Sequence, residues 1–168
     1  MNIYGYCRIS TAKQSIDRQI RNIKAEYPTA HIVQEAYTGT SIFRPEWLKL
    51  YRVLKSGDMV VFDSVSRMSR NAEEGFTLYE DLYHKGIRLV FLKEHHIDTE
   101  TYKKALSGSI AMTGTNVDFI LKGINEYLMA LAKEQIKLAF EQSEKEVADL
   151  HQRTREGLLT ARLNGKQV

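Results

Sequence analysis

Ile3-Tyr4-Gly5-Tyr6-Cys7-Arg8-Ile9-Ser10-Thr11 is the stretch whose reading decides the fold. Ile, Tyr and Cys suit a pleated, buried segment, and the polar Ser10-Thr11 ends it in a turn. Alternate residues of a strand share a face, so Arg8 and Ser10 belong side by side at the strand's end. A helix is predicted directly afterwards, because Ile16, Ile20, Ile23 and Tyr27 recur at helical spacing. Thr11 and Gln14 have the form of a capping box at its start. Strand, polar turn and helix is the unit of open α/β sheets, which carry their sites where strands end. A helix N-terminus there favours anions, and Arg8 can meet a phosphate with two parallel donors. Taken alone, this stretch is better read as helix caps at Ser10 and Thr11 and a surface ion pair at Arg8.

The unit repeats outward from this stretch. Residues 31–36 form a second strand candidate, followed by a loop rich in small and hydroxyl residues at 37–43. Arg44-Pro45-Glu46-Trp47 opens the next helix, with proline at a tolerated first-turn position, and Gly57 ends it. Asp58-Met59-Val60-Val61-Phe62-Asp63 is short and nearly all apolar, as a strand covered on both faces should be. A polar, basic loop follows at 64–71, with Asn71 and Glu74 as a second capping box. The next helix carries Phe76, Tyr79, Leu82 and Tyr83 inward and ends at Gly86, and residues 87–92 form a fourth strand. This alternation predicts an α/β fold: a mostly parallel sheet of about four or five strands with helices on both faces.

The pattern changes after Lys93. Residues 94–115 have no strong period and read as a loop with a short helix at 101–106. From Val117 onward proline is absent and helix formers dominate, which predicts one long C-terminal helix with Gly123 as its possible break. About 45 residues at ~1.5 Å each would span roughly 70 Å, more than this domain can cover. The apolar stripe is dense before residue 140 and sparse after it, so the helix is expected to dock first, then project and pair with another chain. The division expected is an α/β domain over 1–115 and a projecting helix over 116–168.

The chain's 168 residues suit one domain plus an extended element, and 43% hydrophobic content is enough for a core. The single Cys7 excludes an internal disulfide, fits a reducing cytosol and reads as a small core residue. No stretch reads as a signal peptide or membrane span. The net charge of +3 sits in the tail: from residue 151 onward Arg153, Arg155, Arg162 and Lys166 face only Glu156. Such a basic end meets nucleic acid or forms a solvated cationic face.

Three polar clusters follow strands: Arg8 with Ser10, residues 38–44, and residues 66–70. In a parallel sheet these strand ends share one edge, so Arg8, Arg44, Arg67 and Arg70 should converge near one serine. Four cations without carboxylates in those loops would repel one another unless an anion fills the space between them. A phosphodiester fits, because guanidinium groups bind phosphate oxygens in pairs and stabilise the charge of phosphoryl transfer. Other chemistries lack their residues. No glycine-lysine phosphate loop or Gly-x-Gly-x-x-Gly follows a strand. His95-His96-Ile97-Asp98-Thr99-Glu100 lacks zinc spacing and reads as solvated loop, and the scattered histidines show no Ser-His-Asp pattern.

Tyr6-x-Arg8-x-Ser10-Thr11 resembles the start of a serine recombinase catalytic domain, the resolvase/invertase family. Gln14, Ser15, Asp17 and Gln19 continue that family's Gln-Ser-x-Asp-x-Gln run. Thr38-Gly39 with Arg44 resembles its second loop, and Arg67-Met68-Ser69-Arg70-Asn71 its Arg-Leu-x-Arg segment. Arg153-Thr154-Arg155-Glu156-Gly157 resembles the Arg-Thr-x-x-Gly piece of its long helix, so the likeness covers about residues 2–93 and 146–166.

The resemblance implies site-specific recombination of double-stranded DNA. In that family a serine attacks a backbone phosphate, forms a 5′-phosphoserine link, and religates after strand exchange, without metal or nucleotide cofactor. Dimers assemble into a tetramer for the reaction. By position, Ser10 would be the nucleophile. Arg8, Arg67 and Arg70 would hold the scissile phosphate, Arg44 would assist, and Gln14 and Gln19 would be supporting contacts. The long helix would oligomerise, with Arg153, Arg155, Arg162 and Lys166 at its DNA-contacting end, and a C-terminal DNA-binding domain would follow in the family beyond Val168.

Three departures stand out. The family's acidic residue before its third-motif arginine is Ser66 here, the arginine after a long-helix glutamate is Val147 following Glu146, and the 94–115 segment is longer than in small resolvases. The last leans towards the large transposon or phage type. The first two keep a second reading open, a catalytically idle dimerisation domain. A third is a phosphate-binding α/β domain, against which the projecting helix argues.

Overall fold

The computed structural model of the chain describes residues 1–9, 15–36, 44–108 and 110–165, with the backbone alone at Val147. Strand β1 (Ile3–Arg8) pairs in parallel with β2 (His31–Glu35) and β3 (Met59–Phe62), and β3 with β4 (Arg88–Phe91), in the order β2-β1-β3-β4. Chain order reverses between β1 and β3, and that is the crevice where open α/β sheets place their ligands. Between and after the strands, among the described residues, lie α1 (Asp17–Glu26), α2 (Pro45–Val53), the single turn α3 (Val65–Met68), α4 (Ala72–His84), α5 (Thr99–Ser107) and α6 (Asp118–Leu163). The predicted parallel sheet with helices on both faces and a long C-terminal helix is therefore the fold.

Strand alternation divides the core in two. Cys7, Met59, Val61 and Val90 face α1, whose Ile23 is fully buried among them. Gly5 lies on that face, where a Cβ would come within 2.8 Å of Ile23 and Ile32, so β1 is bare where α1 crosses it. Tyr6, Val60, Phe62, Leu89 and Phe91 face the other way, against α2, α4, α5 and the middle of α6. Register places Tyr6, Phe62 and Phe91 in one row across three strands. Ring centroids are 5.9 Å apart from Tyr6 to Phe62 and 5.3 Å from Phe62 to Phe91. Trp47 meets the row edge-on at Tyr6, and Phe140 of α6 does so at Phe91. This aromatic shelf lies one residue-pair below the strand ends that carry the polar clusters.

β4 is an edge strand, and its outer donors are satisfied by side chains. The Leu89 N–H donates to Thr99 Oγ1 at 2.8 Å and the Phe91 N–H to Asp98 Oδ1 at 2.7 Å. The pairing blunts an edge that would otherwise template another strand. The 95–100 segment, expected as solvated loop, is therefore a structural brace containing a 3-10 turn at His95–Ile97.

Other expectations are corrected. Residues 64–71 are not all loop, because α3 forms within them and buries Val65 and Met68. One apolar pair three residues apart is too short a signal to read as a helix. Gly57 does not end α2, which stops at Val53. Gly57, with φ of +90°, makes the turn into β3. Gly123 does not break α6, which runs unbroken for 46 residues; one glycine costs only ~1 kcal/mol among good helix formers. The helix docks before it projects, as expected, but through the end of its dense stripe and not its start. Ile136, Ala139 and Phe140 are buried, whereas Phe119 and Ile120 are 84% and 66% exposed. Periodicity marks an apolar stripe but not which stretch of it meets the core. The second capping box is half made: Asn71 Oδ1 accepts the Glu74 N–H at 2.9 Å, while the Asn71 N–H turns to Ser69. The first, at Thr11 and Gln14, lies outside the described residues.

Gly75 is where α4 admits α6. A Cβ there would lie 2.5 Å from the Phe140 ring, which is buried and already against Phe91. Gly75→Ala gains ~1 kcal/mol of helix propensity but overpacks a rigid ring at a cost of ~1–3 kcal/mol. A net loss of about 1 kcal/mol is expected, read from urea unfolding; a stabilised variant would mean that α6 is not seated there.

Candidate functional site

Arg8 ends β1 with its side chain on the aromatic face, and it is only 4% exposed. Its Nη2 donates to the Ser66 carbonyl at 2.7 Å, while its buried Nε has no hydrogen-bond partner among the described residues. Gln19 of α1 grips the Arg8 backbone from below. Its Oε1 accepts the Arg8 N–H at 3.1 Å, and its Nε2 donates to the Arg8 carbonyl at 2.8 Å. The buried amide thus keys the first helix to the strand end that leads into Ser10.

Three more arginines close round this one. Arg67 rides on α3, and its Nη1 donates to the Arg8 carbonyl at 3.3 Å, with a buried Nε also lacking a partner among the described residues. Arg44, at the start of α2, donates Nη1 to the Met68 carbonyl on the same turn. Arg70 is half-buried just beyond. Burial first, then the positive charges of Arg44, Arg70 and Arg67, push the Arg8 pKa down to about 9, so the group stays charged at neutral pH. Arg67 is lowered by burial, with Arg70 and Arg18 adding to it against the pull of Asp63.

Among the described residues no ion pair joins any of these four arginines to a carboxylate. The segments outside them carry no acidic side chain. Nearby acids are engaged elsewhere. Buried Glu35 accepts the Trp47 N–H at 2.9 Å and the Tyr6 hydroxyl at 3.4 Å. Buried Asp63 accepts a hydrogen bond from Asn22 Nδ2 at 2.8 Å and lies 3.5 Å from Lys93. The cluster is a concentrated positive charge short of anions, which is the electrostatic shape of a phosphate site. Cys7 is inert beneath it: burial and Asp63 push its thiol up to about 12.

The structure thus brings together Arg8, Arg44, Arg67 and Arg70. Gln19 is close by, but it holds backbone rather than facing the cluster. Ser10, Gln14 and the Thr38-Gly39 loop lie outside the described residues, as does Lys166. Arg153, Arg155 and Arg162 are well apart from the cluster in sequence and lie on the terminal part of α6, which buries no residue. Ser66, where a carboxylate was expected, shares a 2.7 Å hydrogen bond with Ser64 and offers its carbonyl to Arg8. Sequence reading missed Glu94 and Glu144, which accept the backbone N–H groups of Val65 and Ala72 at either end of the arginine-bearing turn. Nothing local distinguishes either from a surface glutamate. Among the described residues, no helix is long and apolar enough to cross a membrane.

An open α/β sheet thus carries an arginine-lined corner at its switch point, and comparison with known proteins gives the family. Residues 3–136 match the model of the resolvase N-terminal domain. A resolvase of Clostridium perfringens is 27% identical over 166 residues, spanning 98% of this chain and 74% of that protein. The transposon Tn21 resolvase of Escherichia coli is 26% identical, spanning 91% of this chain and 83% of its own length. A solved resolvase-family site-specific recombinase of Streptococcus pneumoniae is 20% identical over 96% of this chain and 98% of that one, with a TM-score of 0.47. The chain belongs to the resolvase family of serine recombinases, as its catalytic domain.

Proposed function

We propose that this chain cuts and rejoins double-stranded DNA through a covalent link at Ser10. One observation carries the reading: a buried Arg8, two residues from Ser10, lies among three further arginines, and none of the four is paired with a carboxylate among the described residues. A scissile phosphate supplies the missing negative charge. Arg8, Arg67 and Arg70 hold its non-bridging oxygens, and Arg44 assists while bracing α3. The Ser10 Oγ–P bond forms as the P–O3′ bond breaks, and the 3′ oxygen leaves with a proton. Religation reverses the step, with bond energy kept in the phosphoserine, so no nucleotide or metal cofactor is needed. The buried Nε groups of Arg8 and Arg67, which have no partner among the described residues, would supply donors for the charge that grows on the phosphoryl oxygens. Gln14 is assigned a supporting contact and Gln19 a backbone-positioning one.

In the same proposal, residues 1–115 form the catalytic unit and residues 116–168 the oligomerisation helix. The exposed apolar residues of its first half, Phe119, Ile120, Ile124, Tyr127 and Leu131, supply the surface for a second copy and then for a tetramer. Arg153, Arg155, Arg162 and Lys166 form the DNA-contacting end, acting mainly on phosphates. Bacterial transposon relatives favour a cytoplasmic setting of bacterial or phage origin.

The test is to fuse the chain at its C-terminus to a DNA-binding domain of known specificity, supply duplex carrying the cognate crossover site, and trap protein–DNA adducts. Adducts from the wild type that vanish in Ser10→Ala support the assignment, and adducts that persist overturn it. If neither protein forms adducts but both pair on DNA, the idle dimerisation domain is the better reading.

A further inference from the structure

The segment from Val65 to Ala72 carries both Arg67 and Arg70, and it is held at each end by a carboxylate from outside it. At its start, the Val65 N–H donates to Glu94 Oε2 at 3.1 Å, from the corner after β4. At its end, the Ala72 N–H donates to Glu144 Oε2 at 3.0 Å, from the long helix. Ala72 opens α4, and its N–H is one of the donors that no helix can satisfy internally. The helix's own cap, Asn71, is already committed to Glu74. Glu144 therefore does a capping residue's work from α6, far along the chain.

Its placement is coupled to the seat of that helix. Phe140 and Glu144 are four residues apart, so they share a face of α6. Phe140 packs where a Gly75 side chain would otherwise be, and Glu144 reaches Ala72 one turn earlier on α4. The long helix thus touches the first turn of α4 at two points, and the second lies two residues from Arg70.

Resting on the phosphate-site reading above, we infer that Glu144 is a positioning residue through which the long helix sets the geometry of Arg70 and Arg67. It touches no phosphate. It fixes the end of the segment from which the two guanidinium groups reach the site, so a displacement of α6 moves them.

The sign of the effect separates this role from simple electrostatics. Removing a carboxylate near a cation cluster raises the local positive potential, which by itself would tighten phosphate binding in Glu144→Ala and Glu144→Gln alike. The tether makes a different forecast, since glutamine keeps an acceptor for the Ala72 N–H and alanine does not. The experiment titrates inorganic phosphate into the full chain and follows the arginine side-chain Nε resonances by NMR, with a thermal melt of each variant as a folding control. In Glu144→Ala the half-saturating phosphate concentration read at Arg67 and Arg70 should rise about fivefold, the equivalent of one lost cap, while Glu144→Gln stays within about twofold of wild type. Binding that is unchanged or tighter in Glu144→Ala, or equally weakened in both folded variants, overturns the tether alone. Phosphate that perturbs none of the four arginines in the wild type overturns the phosphate site itself, and the tether with it.

Discussion

Arg8→Met is expected to slow covalent DNA joining by about a thousandfold or more while leaving the chain at least as stable as the wild type. The two halves of this expectation come from the same burial. Arg8 is 4% exposed and its charge is disfavoured by desolvation and by Arg44, Arg70 and Arg67 together. Replacing a buried, uncompensated charge by an apolar side chain of similar length typically stabilises by ~1–4 kcal/mol. Against this stands the lost hydrogen bond to the Ser66 carbonyl at 2.7 Å, which leaves an acceptor unsatisfied at a cost of ~1–3 kcal/mol. The balance is near zero or favourable. In the proposed reaction the same guanidinium would face the phosphoryl charge, where one arginine is worth ~10³–10⁵ in rate. Urea unfolding and the rate of adduct formation, measured on the same fusion protein, give both numbers. Added phosphate should raise the unfolding midpoint of the wild type and leave that of Arg8→Met unmoved. A variant that loses stability and activity in step would make Arg8 a structural residue and remove the case for a strained phosphate site.

Phe140→Ala carries the largest expected change in stability, a loss of ~3–5 kcal/mol. The ring is 1% exposed and lies between Phe91 of the sheet and Gly75 of α4. Among the described residues of the 46-residue helix, Ile136, Ala139 and Phe140 are the buried ones, so this ring is the principal anchor of α6 on the domain. Collapse into the void is limited, because Phe62, Phe91 and Tyr79 already stack on one another. The urea midpoint should fall, and amide exchange should quicken in α6 around residues 132–146 and at Ala72, whose N–H bond to Glu144 depends on the same seat. Full protection at Ala72 in the variant would show that the sheet, not this ring, places the helix.

Much of the fold was legible because it rests on local chemistry. Apolar runs such as Met59–Phe62 suit buried strands, and the repeated spacing of Phe76, Tyr79, Leu82 and Tyr83 between a capping asparagine and Gly86 marks a helix. Alternation of the two then implies parallel strands with their ends on one edge, which is why Arg8, Arg44, Arg67 and Arg70 could be expected together before any coordinates. The turn α3 was not legible, since its burial signal is a single Val65–Met68 pair. The seat of α6 was not legible either, because its stripe is equally apolar where it is exposed, at Ile120 and Ile124, and where it docks, at Ile136 and Phe140.

The strand ending at Arg8, the parallel sheet, the four arginines and the long helix were thus determined by sequence alone, through periodicity, residue size and charge. Tertiary structure alone decided that Gln19 serves the Arg8 backbone, that Ser66 lends its carbonyl, and that Glu94 and Glu144 clamp the arginine-bearing turn. The physical reason is that each of these bonds joins groups 11 to 72 residues apart through a single donor and acceptor. Such a bond leaves no periodic trace along the chain, and its partners are chosen only when packing of the aromatic shelf brings the strand ends and α6 together.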